Sequence, residues 1–158
     1  MWMDQTYRVA LIGHRDFDGH KTLDERLYPL LRDLIRDKPF VEIYIGRNGE
    51  FDRYGATVVK RAQKSFGKDN NALLCLLAYP MKDMEFFVRY YDGVMIPECA
   101  QSVHPKRAIE RRNRWMVERA DLLICYVERE YGGAYAAMKY AMALGKKIIN
   151  LSEPQRME

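Results

Sequence analysis

No apolar run in the sequence approaches the roughly 20 residues that a bilayer-spanning helix needs. The first residues, M-W-M-D-Q-T-Y-R, carry no apolar signal segment. A cytosolic protein with no membrane partner is therefore expected. Cysteine is scarce: Cys75, Cys99 and Cys125 are odd in number and form no C-x-x-C pair. Cys75 and Cys125 lie inside apolar runs and read as buried thiols in a reducing compartment. No spacing of His, Cys, Asp and Glu suits a metal ion, and no cofactor is expected. There is no Walker motif, no G-x-S-x-G, and no G-x-G-x-x-G after the first strand, which argues against a P-loop NTPase and a standard dinucleotide dehydrogenase. Repeats, linkers and low-complexity segments are missing too, so residues 1–158 read as one domain, long enough for a proper core. The net charge of +4 is mild; it fits an anionic ligand without demanding DNA.

What is present alternates. Apolar runs at 7–13 (YRVALIG), 41–45 (VEIYI), 72–79 (ALLCLLAY), 92–96 (DGVMI), 122–127 (LLICYV) and 147–151 (KIINL) read as strands buried on both faces. Helical stripes fall between them. Leu23, Leu27, Leu30, Leu31 and Leu34 follow a capping-box pair, Thr22 and Glu25, with Pro29 expected to kink or restart that helix. Val58, Val59, Ala62 and Phe66 follow Asp52, a candidate N-cap, and Gly67 ends the stripe. A short helix is expected at 83–91. Pro105 opens an arginine-dense helix, and a small-residue helix begins at Gly132-Gly133 and closes at Gly145. This pattern predicts an α/β fold: a Rossmann-like, doubly wound, mostly parallel sheet with helices on both faces.

In such sheets ligands bind beyond the carboxyl ends of the strands, where strand order reverses. Four strand exits here are rich in glycine or polar residues: Gly13-His14-Arg15; the loop Gly46, Arg47, Asn48, Gly49, Glu50, Phe51, Asp52; Pro97-Glu98; and 130–133. All point the same way in a parallel sheet, which predicts one shared site. Gly132, Gly133 and Ala134 open a helix after a strand, where unpaired N–H groups and the helix dipole favour phosphate; close packing and a tight turn are the alternative role for these glycines. Arg112 and Asn113 interrupt the apolar face set by Ile109, Met116 and Ala120. A charge aimed at a core needs a cavity or a partner, such as Glu98, whereas Arg111 reads as solvated. Glu50 or Asp52 could hydrogen-bond a ribose hydroxyl, or simply favour a helix start. His14 could meet a phosphate or act as acid or base, or stand solvated in its loop. His20 and His104 have no partner visible in the sequence.

With these residues in view, the chain resembles the SLOG superfamily, which joins the lonely-guy nucleotide phosphoribohydrolases, the DNA-processing protein A family and the YpsA-like proteins. Arg112, Met116, Ala120 and Asp121 match an R-x-x-x-M-x-x-x-A-D segment ahead of the glycine motif, and Gly132-Gly133-Ala134 is similar to the family's G-G-T. The G-x-x-D of Gly49 to Asp52 and the Gly13-His14-Arg15 exit look like the YpsA-like branch. Family hydrolases carry P-G-G-x-G-T-x-x-E, whose glutamate works with the arginine to cleave an N-glycosidic bond. Here no proline precedes the glycines, and Ala137 stands where the glutamate would. The resemblance implies a nucleotide or other phosphorylated small molecule as partner, bound by a protein that senses it. One alternative is a nucleoside-monophosphate N-glycosidase with its acid relocated, for which Arg112, Glu50 and Asp52 are the catalytic candidates. The other is a module for single-stranded nucleic acid. By analogy with related folds a homodimer is expected, with Trp115 or Tyr140 near the contact.

Overall fold

A computed structural model describes residues 5–154, so half of the N-terminal stretch read above, residues 1–4, lies outside the described residues. The described strands form one wholly parallel sheet: β1 (Thr6–Gly13), β2 (Phe40–Ile45), β3 (Asn71–Leu76), β4 (Gly93–Met95), β5 (Leu122–Tyr126) and β6 (Lys147–Asn150). Their order across the sheet is β4-β3-β2-β1-β5-β6. The chain steps outward from β1 to β4, then returns across the sheet to lay β5 against the free side of β1, with Val9 opposite Leu122 and Gly13 opposite Tyr126. Strand order therefore reverses between β1 and β5. This is a Rossmann-like, doubly wound fold, and the crevice at its reversal lies above the carboxyl ends of those two strands.

Alternation along each strand divides the core in two. Val9, Leu11, Ile43, Leu73, Leu122 and Ile124 face one side, under the helices α1 (His20–Thr22), α2 (Tyr28–Asp37), α3 (Glu50–Phe66) and α4 (Met84–Tyr90). Ala10, Ile12, Leu123 and Cys125 face the other, under α5 (Pro105–Arg119) and α6 (Gly133–Ala143). The stripe Ala134, Ala137 and Ala141 repeats at helical spacing and carries no bulk, so α6 lies close on the sheet.

Local details differ from the sequence reading in four places. The first helix starts at His20 with Gly19 before it, and Thr22 is already helical and makes no cap, so the capping box does not form. The interruption expected at Pro29 is real but displaced. A π-helical segment, Leu23–Leu27, lets the Tyr28 N–H reach back to the Leu23 carbonyl, and Pro29 then sits in the first turn of α2, where its missing N–H costs nothing. Asp52 is one turn inside α3, whose N-cap is Gly49; its carboxylate reaches back to the Asn48 N–H at 2.9 Å. Gly67 ends α3 at φ +85°, as expected, but Phe66 before it is exposed.

Gly13 is required by packing at the end of β1. A Cβ there would overlap the ring of Phe51, which is fully buried and cannot move aside. Gly13→Ala should lower the unfolding free energy by about 1–3 kcal/mol, the usual cost of overpacking a dense core. Urea denaturation would check this; an unchanged midpoint would show that the ring has room.

Candidate functional site

The strand exits meet above β1, β2, β3 and β5. At the reversal point His14 is buried, with only 4% of its surface exposed, and its Nε2 accepts the Glu128 N–H at 3.0 Å. That bond ties the exit of β1 to the exit of β5 and leaves the ring proton on Nδ1. Burial depresses the His14 pKa, the neighbouring Arg129 depresses it further, and Glu128 only partly opposes them. His14 is therefore buried and bonded to the backbone of the β5 exit, not solvated in its loop.

Arg112 is the centre of the site. It projects from α5 and is 3% exposed. Its Nη1 donates to Asn48 Oδ1 at 2.8 Å and to the Leu76 carbonyl at 3.0 Å, and its Nε donates to Asn113 Oδ1 at 3.0 Å. Asn48 is the hub on the other side: besides accepting from Arg112, its Nδ2 donates to the Tyr79 hydroxyl at 3.1 Å and its N–H to Asp52 Oδ2. One network thus links the exits of β2 and β3 to α3 and α5. Asp52 is the carboxylate that offsets the buried guanidinium. Burial raises the Asp52 pKa, and Arg112, the Asn48 N–H and Arg47 pull it back. Glu98, offered above as the partner, is exposed on a short 3-10 turn, Glu98–Ala100, and makes no bond to Arg112. Asp52 takes that place because the α3 N-terminus, not the β4 exit, faces the arginine.

Two cavities open from this network. The inner one, about 190 Å³, is walled by Gly13, Arg15, Gly46, Asn48, Gly49, Asp52, Arg112, Asn113, Gly133 and Ala134, with Leu11, Ile12, Ile109 and Met116 behind them. The outer cleft, about 770 Å³, shares Arg15, Asn48 and Gly49 with it and adds Arg47, Glu50, Arg53, Tyr79 and Arg129. The glycines make room for the network. A Cβ on Gly46 would stand 2.5 Å from Arg112 Nη1, and one on Gly49 2.5 Å from the Arg15 Cα.

The start of α6 closes the inner cavity. Gly132 holds φ +93° and ψ 175°, a region open to glycine almost alone. Gly133 carries no such demand: a Cβ there would meet only Asn113 Nδ2, at 3.8 Å. Its bareness leaves the first N–H groups of α6 open. No side chain caps them, and the first bond within the helix is from Ala136 N–H to the Gly132 carbonyl. Ala137, one turn on, is buried against the sheet.

The structure thus gathers most of the residues singled out in the sequence. Arg47 and Glu50 line the outer cleft rather than the inner one. Arg47 is held by the Tyr91 hydroxyl at 3.0 Å, and Glu50 by His20 Nε2 at 3.2 Å. His104, without a visible partner in the sequence, caps α5 by accepting the Lys106 N–H. Arg53, Tyr79 and Arg129 were not anticipated. Tyr79 stands at the exit of the third apolar run, just before Pro80, and convergence of the strand exits would have found it. Among the described residues no three His, Cys, Asp or Glu side chains gather as a metal site.

No known family model matches this chain, and no curated protein matches it in sequence. Solved structures do resemble it. The structural-genomics protein TM1055 superposes with a TM-score of 0.59 at 14% identity, over 90% of this chain and 72% of that one. DNA processing protein A from Streptococcus pneumoniae gives 0.67 at 15%, over 90% of this chain, which spans only about half (49%) of that protein. DNA processing protein A from Helicobacter pylori, described in a single-stranded DNA binding mode, gives 0.61 at 18%, over 98% of this chain and 68% of the other. At these identities the likeness shows the fold alone: a Rossmann-like α/β domain, the fold that the sequence resemblance implies.

Two measurements test the site's physical chemistry. Arg112→Ala removes three hydrogen bonds and leaves Asp52 without its counter-charge. It should cost at least about 3 kcal/mol of unfolding free energy in urea titration; a loss under about 1 kcal/mol would mean that Arg112 does not hold the loops together. For His14, whose folded pKa lies below the ordinary 6.5, the unfolded chain binds a proton that the folded chain refuses. Stability should therefore fall as pH drops through and below 6.5. Urea midpoints at several pH values from 7.5 down should show the slope in the parent chain and a flatter one in His14→Gln.

Proposed function

We propose that this domain binds a nucleotide, or a phosphorylated nucleotide derivative, at the carboxyl ends of the strands, and that it works as a sensor of that ligand. The reading rests on one observation above others: the inner cavity is lined by polar groups left without partners. The hydrogen bonds of Arg112 to described residues run through Nε and Nη1, and Asn113 uses its Oδ1, which leaves Arg112 Nη2 and Asn113 Nδ2 for the cavity. Asn113 Nδ2 lies near Gly133 at the start of α6, and Arg112 lines the same cavity, so three kinds of donor border the space where a phosphate would rest. The outer cleft, with Arg15, Arg53 and Tyr79 on its walls, has the volume to take the remainder of a nucleotide. Ala137 favours binding over catalysis, since the turn that carries the acid in family hydrolases is packed into the core here.

One feature favours a second reading, hydrolysis of the N-glycosidic bond of a nucleoside monophosphate. Asp52 is a buried carboxyl whose pKa is raised by burial, and it lines the same cavity as Arg112. A carboxyl group placed in the cavity beside an arginine can serve as the acid that assists a leaving base.

Both readings are open to direct test. In a thermal-unfolding panel of nucleoside mono- and diphosphates, a ligand at ~100 times its Kd should add about 2.7 kcal/mol of stability. The absence of a shift with every nucleotide and sugar phosphate would sink the binding reading. Chromatography after incubation with AMP, GMP or CMP decides the second: free base from the parent chain but not from Asp52→Asn supports it, and no free base from any of them ends it.

A further inference from the structure

Away from the strand reversal, a second groove of about 570 Å³ lies between α4 and the start of α3. Pro80, Met81, Phe86 and the buried Phe87 give it an apolar lining. Three cations, Arg47, Arg53 and Lys82, share it with a single acid, Asp83, whose carboxylate does not cap α4. Arg47 is held by the Tyr91 hydroxyl, whereas Arg53 and Lys82 have no ion pair among the described residues. Phe86 keeps 44% of its surface exposed, although the next residue, Phe87, packs its helix onto the core. An exposed aromatic ring beside unpaired charge of one sign marks an interaction surface.

The charge selects the occupant. Three cations against one carboxylate repel a basic chain and attract an acidic one, and the apolar lining asks for an apolar side chain beside the acids. The surface also runs on past the groove: Phe86 stacks on Tyr90 at 5.3 Å, and Lys60 Nζ lies 4.7 Å over the Tyr90 ring. A strip of that kind suits an extended chain better than a compact anion. Single-stranded nucleic acid needs open ring faces on which bases stack. Here the rings already have partners from the protein itself. Tyr90 and the Arg47 guanidinium, 5.6 Å from the ring centroid, lie against Phe86, and Lys60 lies against Tyr90. We propose that this groove docks a peptide segment of a partner protein. An apolar side chain of that segment sits against Met81 and Phe86, and flanking carboxylates pair with Arg53 and Lys82. Lys82 and Phe86 line this groove but not the nucleotide cleft, so the proposal stands or falls apart from the binding reading.

The test is a random hexapeptide library panned on the parent chain, followed by anisotropy titration of the enriched peptides. Enriched sequences should combine an aromatic or branched aliphatic residue with carboxylates, and their affinity should fall with added salt. Lys82→Glu should weaken them about three-fold or more, and Phe86→Ser at least about ten-fold. Urea midpoints close to the parent's would show that both variants fold; if Phe86→Ser does not, Lys82→Glu, exposed in the parent, decides the matter. Enrichment of uncharged or basic peptides, or binding that neither substitution weakens, overturns the proposal. So does the absence of any enriched peptide. If an oligothymidylate of about ten nucleotides binds instead and loses affinity in the same variants, the groove belongs to nucleic acid. Self-association of the parent chain that Phe86→Ser abolishes, with no peptide enriched, gives the groove to a second copy.

Discussion

A guanidinium that solvent barely reaches is the constraint on which this molecule depends. Arg112 is placed by α5 under the strand exits, where an unpaired charge would be prohibitively expensive. The fold answers with Asn48, the Leu76 carbonyl, Asn113 and the nearby carboxylate of Asp52. Burial lowers the pKa of Arg112, and Asp52 is the first of the groups that raise it again. Each partner belongs to a different element, so satisfying one charge fixes the loops after β2 and β3 relative to α3 and α5. The glycines at 46 and 49 follow from this, because side chains there would strike Arg112 and the Arg15 backbone.

The same network explains why the cavity is polar yet incomplete. Arg112 spends Nε and Nη1 on the protein and keeps Nη2; Asn113 spends its oxygen and keeps its amide nitrogen; Asp52 spends Oδ2 and keeps Oδ1. A purely structural network would close on itself. This one leaves complementary groups at the edge of a space, next to a helix start that no side chain caps. His14 joins the exits of the two strands between which the order reverses, and burial beside Arg129 lowers its pKa.

Legibility in the sequence varied with the range of the interaction. The apolar runs located every strand to within a few residues, because a parallel strand must be apolar on both faces. The third run overshot: the strand stops at Leu76, and the chain beyond it turns into the site as Tyr79. Thr22 and Glu25 have the right spacing for a capping box, but the helix had already begun at His20, and a π segment absorbed the proline downstream. His14 stood open between a phosphate contact, an acid or base and a solvated loop residue because nothing nearby in the chain shows its partner, which is the Glu128 N–H. Arg53 and Arg129 belong to the outer cleft only because the start of α3 and the loop after β5 come together there.

By itself the sequence determined the alternation of strands and helices, the parallel sheet that apolar strands require, and the likeness to SLOG proteins around Arg112 and Gly132-Gly133. It also marked Arg112 as a charge out of place on an apolar face. Which carboxylate offsets that charge was decided by tertiary structure alone. Glu98 is the nearer in sequence and lies in solvent, whereas the Arg112 bond to Asn48 spans 64 residues and brings Asp52 with it. The physical reason is the strand order. The return from β4 to β5 carries α5 across the sheet to sit opposite the exit of β2, and no local pattern encodes where a crossover lands.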